Sequence, residues 1–151
     1  MERNEAAALI YDDKAREMIK KHEGYRSAIY LDSVGVPTGG WGHAFLTGST
    51  LPVEIWKQIF EIDFESHRND ADRFINQHGL FDIGEARRVA LIDLCFNLGL
   101  NKLNKFHATI ENLKNGDYDK ASMGLLNSLW ARQVGNRAVE IATIIRRGTL
   151  Q

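Results

Sequence analysis

Ala28-Ile29-Tyr30-Leu31, Asp32-Ser33-Val34-Gly35, Val36-Pro37-Thr38 and Trp41-Gly42-His43-Ala44-Phe45 together decide the fold. Short runs of β-branched and aromatic residues broken by glycines read as a small antiparallel hairpin or meander. Upstream, Ala15, Met18, Ile19 and His22 keep helical spacing from about Asp13, and Gly24 stops that helix, which leaves Glu23 at its C-terminal end. Downstream, Thr50 to Gln77 is the longest helical pattern, with Pro52 in its first turn and Trp56, Ile59, Phe60, Phe64, Ala71 and Phe74 on one stripe.

Asp82-Ile83-Gly84-Glu85 predicts a capping box for the next helix, which carries Val89 to Cys95, Phe96 and Leu98 and ends at Gly99. A helix apolar nearly all round should be buried. Further helices are expected at His107 to Asn115, with Gly116 as C-cap, and at Tyr118 to Asn127, with Asp117 as N-cap. The last helix opens at Asn136, buries Ala138, Ile141, Ala142 and Ile145, and ends at Gly148. The sum is an α+β chain. The expected division is an N-terminal extension (1–12), a sheet-bearing lobe (13–50), a connecting helix (51–78) and an all-helical lobe (79–151), together one domain.

A length of 151 residues with 44% hydrophobic content suffices for a core without a metal or disulfide staple. The single Cys95 sits in an apolar run and reads as a buried structural thiol of a protein made in a reducing compartment. The longest apolar stretches fall far below the ~20 residues of a membrane span, and Met-Glu-Arg-Asn-Glu does not begin like a secretory signal. Neither a membrane anchor nor export by a signal is therefore expected. A net charge of −1 argues against a dedicated nucleic-acid binder, although residues 1–83 carry −5 and residues 84–151 carry +4.

Glu23 leaves a helix end, Asp32 opens the hairpin turn nine residues later, and Thr38 follows on the return strand. Two carboxylates on rigid elements with a hydroxyl beside one of them fit hydrolysis of a glycosidic bond: one acid protonates the leaving oxygen, the other steers a water. Spacing alone is a weak signal, since the commoner role of any Glu or Asp is a solvated surface charge. The histidines (His22, His43, His67, His78 and His107) form no HxxxH or HExxH pair, and no cysteine cluster accompanies them, so neither a metal nor a cofactor is expected. Gly40-Trp41-Gly42 lacks the third glycine and the βαβ context of a nucleotide loop.

The strings Glu23-Gly24-Tyr25-Arg26, Ile29-Tyr30-Leu31-Asp32, Gly35-Val36-Pro37-Thr38 and Gly40-Trp41-Gly42-His43 resemble the active-site segment of the phage-type lysozymes, the muramidase family of the T-even phages. The likeness resumes at Ala86 to Ile92, Phe96 to Gly99, Ser128-Leu129-Trp130, Asn136-Arg137-Ala138 and Arg147-Gly148-Thr149, covering about two thirds of the chain. It implies a lysozyme-like fold, with Glu23 as general acid and with Asp32 and Thr38 positioning water in an inverting reaction. It also implies that Arg137 reaches Glu23, that His43 pairs with an acid on the long helix, for which Asp63 is the candidate, and that Phe96, Asn97 and Thr109 contact saccharide. Ala44, Gly124 and Gly39 depart from the pattern, where Leu, an amide and a β-branched residue are usual. The implied protein is a monomeric endolysin that acts on the glycan strands of peptidoglycan. It would accumulate in the host cytoplasm and reach the wall through a separate membrane pore, a holin. The alternatives are a lytic transglycosylase, against which Asp32 and Thr38 argue, and a silent peptidoglycan-binding module of a phage particle.

Overall fold

A computed structural model describes the backbone of residues 5–150 and the side chains of residues 13–150. The chain forms two compact units that divide between Leu51 and Pro52. The first contains helix α1 (Glu5–Glu23) and a three-stranded antiparallel sheet of β1 (Arg26–Leu31), β2 (Pro37–Gly40) and β3 (His43–Ala44), in the order β1-β2-β3. The meander is thus present as expected. Helix α1 begins earlier than the spacing from Asp13 implied; its first turns run through Glu5-Ala6-Ala7-Ala8-Leu9, residues of high intrinsic helix propensity for which no periodic stripe is needed. Residues 1–4 of the expected extension lie outside the described residues. At the other end Gly24 closes α1, its N–H donating to Lys20 O at 2.9 Å.

The second unit is helical: α2 (Val53–His78), α3 (Glu85–Leu98), α4 (Leu100–Leu103), α5 (His107–Lys114), α6 (Tyr118–Leu126), α7 (Leu129–Val134) and α8 (Asn136–Arg147). Helix α2 opens after Pro52, whose carbonyl accepts from Ile55 N–H at 3.0 Å, so the proline stands at the N-cap, just ahead of the first turn. Ala71 and Phe74 carry its stripe into the core, with Phe64 packed at the margin. Helix α3 is the axis of this unit: Ala90, Leu91, Ile92, Leu94 and Cys95 are all buried. The last helix inserts the same four residues that the periodicity marks, Ala138, Ile141, Ala142 and Ile145. Each of the two isoleucines buried this way is worth about 1.5–3 kcal/mol. Burial above all, with Asp70 second, pushes the Cys95 thiol up to about 12, so it is a packing group and not a nucleophile.

Two caps differ from expectation. Before α3, Gly84 (φ 83°, ψ 158°) holds the N-cap and no side chain reaches the first amides. A capping box needs the polar residue at the N-cap itself and the acid three residues on, whereas Asp82 stands two residues too early and Glu85 is already helical. Helix α5 ends at Lys114 with Asn115 as its C-cap, one residue ahead of Gly116. At α6, by contrast, Asp117 caps as read, accepting from Lys120 N–H at 3.2 Å.

Arg87 ties three helix ends together. Its Nε donates to Ile145 O at 2.6 Å and its Nη1 to Ile83 O at 3.2 Å, while the guanidinium lies 3.4 Å from the centroid of the Tyr118 ring. The cation thereby meets the negative end of α8. Gly148 completes the joint: it is left-handed (φ 72°), and a Cβ there would come within 2.8 Å of Arg87 Nη2. Arg88, the next residue, donates from Nε and Nη2 to the two oxygens of Asp72 at 2.7 and 2.9 Å, which links α3 to α2. Those hydrogen bonds hold the Asp72 carboxyl below its ordinary range.

Replacing Arg87 by Met keeps an apolar stem and removes the donors, so urea unfolding should show a loss of about 2 kcal/mol at unchanged m. A loss near zero would mean that water serves those carbonyls equally well. For Asp72, a carboxyl with a depressed folded-state pKa adds stability above its unfolded value of about 3.9, and that contribution disappears as pH falls through the folded value. The pair is part-exposed, so its worth is below about 1 kcal/mol. Asp72→Asn should melt slightly earlier than the parent at neutral pH, and the two melting curves should converge in acid below about pH 4. A constant gap at every pH would remove the charge from the explanation.

Candidate active site

In the first unit the last residue of α1 meets the turn between β2 and β3. Gly42 there has φ 79°, and a Cβ built on it would lie 2.6 Å from Glu23 Oε2 and 3.0 Å from Glu23 Cδ. The Glu23 carboxylate therefore rests directly against the bare Cα of Gly42. Between Gly40 and Gly42, the Trp41 ring lies 4.8 Å from Tyr25 and 5.0 Å from the Lys20 ammonium. The turn is thus fastened to the C-terminal end of α1 on both sides of Glu23.

Asp32 is built into the β1–β2 turn. Its Oδ1 accepts from Val34 N–H at 2.9 Å and Val36 N–H at 2.8 Å. Its backbone N–H donates to Val36 O at 2.9 Å, and its carbonyl accepts from Gly35 N–H at 3.0 Å. An Asp accepting from amides two and four residues on fixes both the turn and its own carboxylate plane. Among the described residues Oδ2 accepts no hydrogen bond, so one oxygen is structural and the other is available. Thr38 is buried, pairs across the ladder with Tyr30, and donates from Oγ1 to Val36 O at 2.9 Å. Asp32 follows directly on the end of β1, two residues after Tyr30, the ladder partner of Thr38. With its proton committed to Val36, the Thr38 hydroxyl offers lone pairs, so hydroxyl and free carboxylate oxygen are both acceptors for a water.

His43 begins β3, opposite Gly39, with its ring edge-on to Phe45 at 4.9 Å. Gly39 is buried beneath Phe45 and Ile29, and a Cβ there would meet them at 3.4 Å and 3.6 Å, ordinary contact distances, so packing alone does not require the glycine.

The remaining expected site residues lie in the second unit. Asp63 is exposed on α2. Phe96 lines a pocket of about 320 Å³ with Phe60, Phe64, Val89 and Ile92, its ring 5.9 Å from Phe60 and 5.1 Å from His67; it is a wall and not part of the fully buried core. Asn97 accepts a hydrogen bond from Trp130 Nε1 at 2.7 Å. Arg137, in the first turn of α8, donates from Nε to Asp93 Oδ1 at 2.8 Å, and both residues border that pocket. Thr109 is buried on α5 and faces Gly124 on α6, where a Cβ would meet Thr109 Oγ1 at 2.9 Å. Sequence reading missed Asp93, Trp130 as partner of Asn97, and the seat that Gly42 gives Glu23. The first two pairs are 44 and 33 residues apart. Only the lone Gly-Trp-Gly pattern hinted at the third. Among the described residues no group of three or more His, Cys, Asp or Glu could hold a metal ion, and no helix is long and apolar enough to cross a membrane.

The chain is similar to the pre-baseplate central spike protein Gp5 of Enterobacteria phage T4, with 27% identity over 89% of this chain, although it spans only 28% of that protein's length. Two Dictyostelium discoideum proteins, probable T4-type lysozyme 1 and probable T4-type lysozyme 2, are 23% and 22% identical over 89% and 90% of this chain, and each is matched over 95% of its own length. A family model described as phage lysozyme matches residues 20–149, from the last turn of α1 through the end of α8, and the chain belongs to that family.

Proposed function

We propose that the protein is a muramidase that hydrolyses the β-1,4 bond between N-acetylmuramic acid and N-acetylglucosamine in bacterial peptidoglycan, with inversion and without a cofactor. The observation that carries this reading is the division of labour at Asp32 and Thr38: Asp32 Oδ1 is spent on two turn amides while, among the described residues, Oδ2 accepts no hydrogen bond, and the Thr38 hydroxyl gives its proton to Val36 O and keeps its lone pairs. Such a pair binds and orients a water. Glu23 sits on a different rigid element, at the end of α1, and serves as the acid that protonates the departing oxygen. A water-holding carboxylate is what a hydrolase needs and a transglycosylase, which closes an internal anhydro ring, does not. Phe96, Asn97 and Thr109 are proposed to line the saccharide path, and Arg137 and His43 with Asp63 to support it.

In the cell we place it as a monomeric endolysin of a phage, released from the host cytoplasm to the wall through a separately encoded pore. A second reading draws on the likeness to the T4 spike protein: the same domain carried in a phage particle, either catalytic or kept only for binding the wall. Clearing of outer-membrane-permeabilised cells, with mass analysis of the fragments, separates these readings. Reducing ends support hydrolysis, anhydro ends the transglycosylase, and binding without clearing the silent module. Proton NMR of the first product formed reads the anomer and hence the inversion.

Glu23→Gln should keep its melting temperature and lose at least about 10²-fold in kcat, the usual contribution of a placed proton donor. Near-parental activity would remove Glu23 from the mechanism. Asp32→Asn is the sharper test of the second carboxylate, because an amide oxygen still accepts from Val34 and Val36 and so preserves the turn. It should melt close to the parent yet lose activity on the same scale, whereas Asp32→Ala should lose both stability and activity. Full activity in Asp32→Asn would show that the carboxylate charge is not used.

A further inference from the structure

We propose that Gly42 is a positioning residue for catalysis, its missing side chain being the seat that fixes the Glu23 carboxylate at the end of α1; this rests on the reading of Glu23 as the general acid. A Cβ at position 42 would stand 2.6 Å from Glu23 Oε2, 3.0 Å from Cδ and 3.4 Å from Cγ, so its whole conflict is with one side chain. That side chain is exposed and flexible, and it is the cheapest thing nearby to move.

The turn itself has little freedom to give way instead. Gly39 and His43 pair in the β2–β3 ladder, Trp41 lies against Tyr25, and the Lys20 ammonium sits over the Trp41 ring one helical turn before Glu23. An added methyl at 42 therefore pushes the carboxylate off its place and leaves the fold. Displacement of a reacting group by about 1 Å can reduce a rate by on the order of 10²-fold.

The sequence supplies its own control. Gly40, on the other side of Trp41, has φ 61° and nothing within 4 Å of a built Cβ, whereas Gly42 has φ 79° and the Glu23 carboxylate. Alanine at either site bears comparable left-handed backbone strain, but at Gly42 alone does it collide with the acid.

The experiment compares Gly42→Ala with Gly40→Ala in the full chain. Three quantities are read: melting temperature, kcat and KM on a soluble glycan fragment across pH, and the titration of the Glu23 carboxyl by carbon-13 NMR. The expected result is an equal, modest drop in melting temperature in both variants. Gly42→Ala should lose about tenfold or more in kcat at unchanged KM. The limb of its pH profile that reports the acid should shift together with the Glu23 carboxyl titration. Gly40→Ala should keep the parental kcat and the parental Glu23 titration. Equal kcat in the two variants, an unmoved Glu23 titration in Gly42→Ala, or a Gly42→Ala that fails to fold while Gly40→Ala folds would each overturn the proposal. Failure of the muramidase reading has a separate signature, an active Glu23→Gln, and the NMR titration still decides whether Gly42 seats the carboxylate.

Discussion

A helix with Ala90, Leu91, Ile92, Leu94 and Cys95 all buried leaves little of its surface for water, and the second unit follows from that constraint. Helices α2 and α8 must cover α3 from different sides, because an uncovered face would expose several aliphatic side chains at once. Covering apolar surface does not by itself fix where each helix begins and ends. Polar joints do that. Arg87 spends its donors on the carbonyls where α8 finishes and on the turn before α3, and Arg88 grips Asp72 on α2. Two consecutive arginines at the start of the most buried helix thus set the positions of the elements that wrap it. The arrangement is economical in sequence, since adjacent residues on a helix point about 100° apart and so reach different neighbours.

The first unit obeys a different logic. With a three-stranded sheet and short strands it has little hydrophobic area to spend, and its shape rests on turn chemistry. Asp32 contributes through one oxygen to the turn while the other accepts no hydrogen bond among the described residues; Thr38 donates to the same turn and keeps its lone pairs. In the proposed mechanism, structural and chemical roles therefore fall on different atoms of the same side chains. Such sharing has a consequence for mutagenesis: alanine substitutions at these positions mix the two roles, and only substitutions that keep the accepting or donating atom separate them.

How much of this was legible in the sequence depended on whether the governing interaction was local. The meander could be read because β-branched runs and glycines are local signals, and the inward stripe of α8 because Ala138, Ile141, Ala142 and Ile145 repeat with the helical period. Helices α4 and α7, of four and six residues, were invisible because a period cannot establish itself over so short a run. The cap of α3 was misread because an acid near a helix start is only a cap if it occupies one particular position, and Gly84 occupies it. At the site, Glu23 and Asp32 stood out by their neighbours in sequence. Asp93 beside Arg137 did not, since nothing local marks a partner 44 residues away.

The glycines that depart from the family pattern make the same point from the side of the backbone. At Gly124 a helix interior carries a residue poorly suited to it, and on the neighbouring helix Thr109 Oγ1 lies 2.9 Å from where a Cβ would stand. At Gly39 the occupants are Phe45 and Ile29. The two sites differ: a Cβ at 124 would conflict with Thr109 Oγ1, whereas one at 39 would meet Phe45 and Ile29 at ordinary contact distances. Adding a side chain at 124 in isolation should therefore introduce overpacking against Thr109. Position 124 faces Thr109, proposed above to line the saccharide path, so a side chain at 124 and the placement of the Thr109 hydroxyl cannot be changed independently.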